Sequence, residues 1–107
     1  MPKDSLQGTL DILILQTLAR GSEHGYGITC RILTRSDNQL RVEEGSLYPA
    51  LHRLESAGLV KAEWKMSENN RRARYYSLTR AGKKRLTQEI REWRVHTAAV
   101  AAFLDQE

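Results

Sequence analysis

The side chains in this chain that could do chemistry are hydrogen-bonding groups and cations, gathered in two places. Ser46, Tyr48, Pro49, His52 and Arg53 alternate with Leu47, Ala50, Leu51, Leu54 and Ala57, and the apolar set recurs at helical spacing. A helix here buries the second set and leaves the first largely off the buried stripe. Its phenol, imidazole and guanidinium can then reach bases or phosphates, although Tyr48 could equally anchor the helix to its domain. Downstream, Asn69, Asn70, Arg71 and Arg72, followed by Arg74, combine residues that tolerate tight turns with mobile cations. Lys83, Lys84 and Arg85 could reach flanking phosphates, but a charged run of this kind is most often a solvated face. Catalytic constellations are not suggested. His24, His52, His96 and Cys30 lack the local spacing of a metal site, and Gly25-Tyr26-Gly27 lacks the flanking strand and further glycine of a dinucleotide fingerprint. No catalytic residue, metal or cofactor is therefore expected.

The elements that must carry these groups follow from the punctuation around them. Gly58 suits the left-handed position after a helix, and Leu59 to Met66 then alternates as a half-buried strand. The chain turns through 67–72 and returns as a strand over Arg74–Leu78. Val60, Ala62, Trp64 and Met66 share a strand face, which places Trp64 in the core beneath the hairpin. Ser5 can cap a first helix to about Ala19, whose Leu6, Leu10, Leu13 and Thr17 stripe is widened by Ile12, Ile14, Leu15 and Leu18. Burial on several sides points to help from a second subunit. Gly21 to Gly25 reads as a turn, Tyr26 to about Thr34 as a second helix, and Leu40 with Val42 as a brief strand. Pro49 is comfortable only near a helix start, so the third helix begins after Glu44 or begins distorted. The order helix, strand, basic hairpin and strand predicts a mainly α fold with a small β-hairpin wing, a winged helix-turn-helix.

Thr79 is a good N-cap for a last helix from about Arg80 to Leu104. Leu86, Ile90, Trp93, Thr97, Val100 and Leu104 keep heptad a and d spacing, and a helix about 37 Å long outreaches so small a domain. They are the expected dimer seam. Residues 1–78 are thus read as the winged helix-turn-helix, its first helix also serving the dimer, and 79–107 as the C-terminal dimerisation helix of the same compact unit.

At 107 residues the chain is one domain without room for a deep enzymatic cavity. Seventeen Lys and Arg against thirteen Asp and Glu give a formal charge of +4, which favours a polyanion partner only through its distribution. One cysteine, Cys30, permits no internal disulfide and reads as a small buried hydrophobe in a reducing compartment. The apolar segment Leu10 to Ala19 is entered by Asp11 and falls short of the roughly 20 residues that span a bilayer. A cytoplasmic location is expected.

Three blocks then carry a resemblance: Gly25-Tyr26-Gly27, the run Gly45 to Glu55 with Gly58-Leu59, and Arg74 to Gly82. In these the chain resembles the PadR family of bacterial transcriptional regulators, in its short form with one C-terminal helix. The resemblance implies a homodimeric repressor on an inverted-repeat DNA operator, with the third helix in the major groove and the wing near the backbone or minor groove. It also implies that a planar aromatic effector could bind between subunits, where Trp93 is a possible contact beside its simpler role in packing. A winged helix that binds another protein instead of DNA is the rival reading.

Overall fold

The computed structural model describes residues 5–106, with side chains from residue 8 onward. The elements are α1 (Ser5–Ala19), β1 (Glu23–His24), α2 (Gly25–Arg35), α3 (Glu44–Ser56), β2 (Val60–Met66), β3 (Arg72–Leu78) and α4 (Arg80–Leu104). The expected capping role of Ser5 and the stripe position of Leu6 lie outside the described side chains.

The core forms where the apolar faces of the helices meet the root of the sheet. Ile14, Leu15 and Leu18 of α1, Ile28 and Ile32 of α2, and Leu47, Leu51 and Leu54 of α3 close on Leu59, Val60, Tyr76 and Leu86. The wide apolar belt of α1 is explained mostly within the chain, because α2, α3, β3 and α4 all pack against it. Leu10 and Leu13 are half-buried against the same core, and Ile12 is half-buried as well.

Each local boundary has a chemical cause. His24 caps α2: its Nδ1 accepts the Gly27 N–H at 3.0 Å. At the end of α3, Gly58 takes φ +76°. The Gly58 N–H donates to the Glu55 carbonyl and the Leu59 N–H to the Leu54 carbonyl, each at 3.0 Å, with Leu54 and Leu59 both in the core. This is a Schellman ending, which satisfies carbonyls that the helix itself leaves open. Thr79 caps α4 as expected, accepting the Gly82 N–H at 3.0 Å. Its hydroxyl also donates to the Gly58 carbonyl at 2.7 Å, and its own N–H donates to the Leu59 carbonyl at 3.1 Å. A Cβ at Gly82 would overlap that Leu59 carbonyl. The end of α3 and the start of α4 are thus clasped backbone to backbone.

The sheet is antiparallel in the order β1-β3-β2, with Val60 opposite Leu78, Ala62 opposite Tyr76, Trp64 opposite Arg74 and Met66 opposite Arg72. Residues directly opposite share a face. Val60 and Tyr76 are buried on that face, whereas Trp64 is 57% exposed. The expected placement of Trp64 in the core is therefore corrected: the face was read rightly, but the two-stranded ribbon runs out beyond the helices that could cover it.

Several other expectations change. Residues 23–24 form β1 rather than part of a turn, pairing with Tyr75 and Tyr76. Leu40 and Val42 form no strand, since β3 already has β1 and β2 on its two edges. The chain also enters their segment through positive φ at Asp37 and Asn38, which breaks an extended run. Pro49 sits inside α3, which does start at Glu44; its first turn is closed by the Ser46 and Leu47 N–H groups sharing the Glu43 carbonyl. Cys30 and Ala57 are exposed rather than buried. Leu86 is buried in the domain's own core and Ile90 packs against it, so the first two members of the expected seam are largely used within one chain. Trp93, Val100, Phe103 and Leu104 remain exposed farther along α4. Among the described residues, no helix is long and apolar enough to cross a membrane.

Candidate nucleic-acid interface

The stripe of α3 is buried at Leu47, Ala50, Leu51 and Leu54, which leaves Ser46, Tyr48, Pro49 and His52 on its exposed side. Tyr48 anchors the helix, one of the two roles its sequence allowed, and keeps an exposed edge. Its ring rests on Gly25, where any Cβ would overlap the phenol, yet the residue is still 45% exposed. This contact explains the first glycine of the Gly-Tyr-Gly block, and the Glu23 carboxylate packed on Gly27 explains the second. Burial pushes the Tyr48 phenol above its ordinary pKa, with smaller contributions from Glu44 and Tyr76. The hydroxyl therefore stays a hydrogen-bond donor at neutral pH.

Arg53 is placed differently from its neighbours. Its Nη2 lies 2.6 Å from Oδ1 of Asp11, whose side chain is 9% exposed against 37% for Arg53. The guanidinium thus ties α3 to α1, and a base contact would require it to leave that pair.

The wing tip closes at Ser67 and Arg71, where the Ser67 N–H donates to the Arg71 carbonyl at 2.7 Å and the Asn70 N–H donates to the Ser67 carbonyl at 2.9 Å. Asn70 takes φ +61°, a conformation that asparagine tolerates better than most residues. Asn69, Asn70, Arg71 and Arg72 are exposed. Arg74, predicted with them, is held by Glu55 of α3 at 2.8 Å and lies nearer the domain. Arg72 instead turns back over the ring of Trp64, 5.1 Å from its centroid.

Between α2 and the wing runs an open groove of about 800 Å³, bordered by Tyr26, Cys30 and Tyr48 on one side and by Trp64, Arg71 and Arg72 on the other. Tyr26 and Trp64 were not anticipated here. The strand alternation put Trp64 on this face, and its position near the outer end of the ribbon was the available signal that no core would reach it. Lys83, Lys84 and Arg85 are exposed near the start of α4. Trp93 is 38% exposed in the single chain, with His96 tilted beside it at 6.5 Å between ring centres. Among the described residues, no cluster of His, Cys, Asp or Glu could hold a metal ion.

Comparison with known proteins bears on this arrangement. The family model for the PadR-like family of transcriptional regulators matches residues 14–88. The chain is similar to the transcriptional regulator Rv3488 of Mycobacterium tuberculosis, at 38% identity over 78 residues, covering 73% of this chain and 69% of that one. A transcriptional regulator from Clostridium thermocellum superposes with a TM-score of 0.85 at 31% identity, covering 96% of this chain and 100% of the other. A PadR family transcription regulator from Clostridium difficile gives a TM-score of 0.73 at 34% identity, covering 89% and 97%.

Proposed function

Because the chain belongs to the PadR-like family of transcriptional regulators, we propose that it acts as a repressor, binding an inverted-repeat operator as a homodimer through α3 and the wing. The observation that carries this reading is that the exposed edge of α3 at Tyr48 and the cations Arg71 and Arg72, which have no ion-pair partner among the described residues, border one groove. In the proposed complex Ser46, Tyr48, Pro49 and His52 face the major groove of DNA, while Asn69, Asn70, Arg71 and Arg72 meet the backbone or minor groove. Arg74 and Arg53 take part through their carboxylate partners, as struts that fix the wing and α1 to the reading helix.

The dimer seam in this reading uses Trp93, Thr97, Val100 and Leu104, with Phe103 added and Leu86 removed. Ile90 stands at its inner edge. A planar aromatic effector would enter beside Trp93, where the ring is partly open. The test is fluorescence anisotropy on a labelled duplex from upstream of the gene, repeated across salt concentrations. Log affinity should fall linearly with log salt, because phosphate neutralisation releases counterions. Absence of binding to that and to mixed-sequence duplex would favour a winged helix that docks on protein. A reporter fused to the same upstream region should be expressed less when the protein is present.

A further inference from the structure

The groove between α2 and the wing has a wall that neither the reading helix nor the wing tip provides. It is the outward continuation of the sheet's inner face, where Trp64 stands uncovered and Arg72 lies diagonally across from it. With the guanidinium carbon 5.1 Å from the ring centroid, the indole supports one side of that cation. A guanidinium donates along its own plane, so a ring face held beneath it limits its swing and leaves outward N–H groups available to an anion. The opposite wall carries Tyr26, 65% exposed, and the open edge of Tyr48.

The charges in the groove are not equally available. Arg31 is engaged by Glu23 at 2.9 Å and Arg74 by Glu55 at 2.8 Å. Arg71 and Arg72 have no carboxylate within ion-pair distance among the described residues. Glu68 also lines the groove near the turn, so its free charge is two cations against one anion.

We infer that this groove seats a stretch of the sugar-phosphate backbone of duplex DNA. Arg72, supported by Trp64, offers those N–H groups to one phosphate, and the phenols of Tyr48 and Tyr26 meet the same strand from the other wall. The inference rests on the DNA-binding reading and extends it: the wing grips by its inner face as well as by its tip. Trp64 is a positioning residue for Arg72, which accounts for a large aromatic ring standing outside the core.

The test uses the full chain and a labelled duplex of mixed sequence, with anisotropy titrations from about 50 to 200 mM salt. Wild type is compared with Arg72→Ala, Trp64→Ala, Trp64→Phe and the Trp64→Ala/Arg72→Ala double variant. Arg72→Ala should flatten the log-log slope by about 0.9 for each chain bound, so over the fourfold rise in salt its affinity falls roughly 3.5-fold less than that of wild type per chain, or about 12-fold less for a bound dimer. Trp64→Ala should weaken binding by about two- to fivefold, the equivalent of an exposed cation–π contact, and Trp64→Phe should restore most of it. The double variant should bind no more weakly than Arg72→Ala, within about twofold, because Trp64 acts through Arg72. Melting temperatures should be unchanged, since neither residue is in the core. A wild type that binds no duplex would overturn the DNA reading and this inference together. A wild type that binds in a salt-dependent way, with Trp64→Ala and Arg72→Ala indistinguishable from it or their losses simply additive, would overturn the groove seat alone.

Discussion

Removing the contact between Asp11 and Arg53 should loosen α3 on its domain and, on the proposed DNA-binding reading, erase no particular base preference. The pair joins α1 to α3 at 2.6 Å, with one partner nearly out of water and the other about a third exposed. At a charge separation near 4 Å and an effective dielectric constant of about 20, Coulomb attraction is about 4 kcal/mol, an upper bound before desolvation. Fully exposed pairs contribute up to about 1 kcal/mol, whereas loss of one partner from a buried pair costs about 3–5 kcal/mol. The exposure of Arg53 screens the interaction, so an intermediate cost of about 2 kcal/mol is expected for Asp11→Ala or Arg53→Ala. For a domain of this size that lowers the melting temperature by roughly 8–12 °C at fixed protein concentration. The double variant should lose about 1.5 kcal/mol less than the two single losses added. The assay is urea and thermal unfolding of all four proteins, followed by anisotropy of Arg53→Ala against a set of operator variants. Additive losses, or an Arg53→Ala protein that melts like wild type, would refute the strut. A changed preference at one base pair, with stability intact, would return Arg53 to the set of residues that read sequence.

His52→Ala, on the exposed side of α3, should change preference at particular base pairs by about 1–3 kcal/mol if it makes a good base contact, as measured by binding to an operator library. Val100→Asp should dissociate the proposed dimer and abolish the proposed operator binding while the melting curve of the domain persists, which sedimentation and anisotropy on one preparation can follow. Val100 is the sounder place for this test than Ile90, because Ile90 also packs on the chain's own core. Gly82→Ala should cost about 1–3 kcal/mol of stability through overlap with the Leu59 carbonyl, read by urea denaturation.

Local chemistry was legible in the sequence wherever a residue type had one main use. Gly58 at positive φ, Thr79 as a cap, the buried stripe of α3 and the turn at Asn70 all follow from side chains that satisfy or free the adjacent backbone. What could not be read depends on distance. Alternation says which face Trp64 occupies but not how far the core extends beneath that face. The Arg53–Asp11 pair spans 42 residues, and neither partner has a local pattern that announces it. The two-residue β1 is too short to show alternation; it exists because β3 has an edge to offer. Leu86 fits a heptad seam and a domain core equally well by spacing, and only the position of α1 decides between them.

The clasp of Thr79 on Gly58 and Leu59 makes the end of α3 and the beginning of α4 a single stiff corner, held by two hydrogen bonds across it and by the close approach of Gly82 to the Leu59 carbonyl. In a two-fold dimer, tilting one α4 against its partner would therefore carry each α3 with it like a hand on a forearm. The separation and pitch of the two reading helices would be set at the far end of α4, and a ligand wedged beside Trp93 could spoil the fit to successive major grooves without touching any residue that contacts DNA.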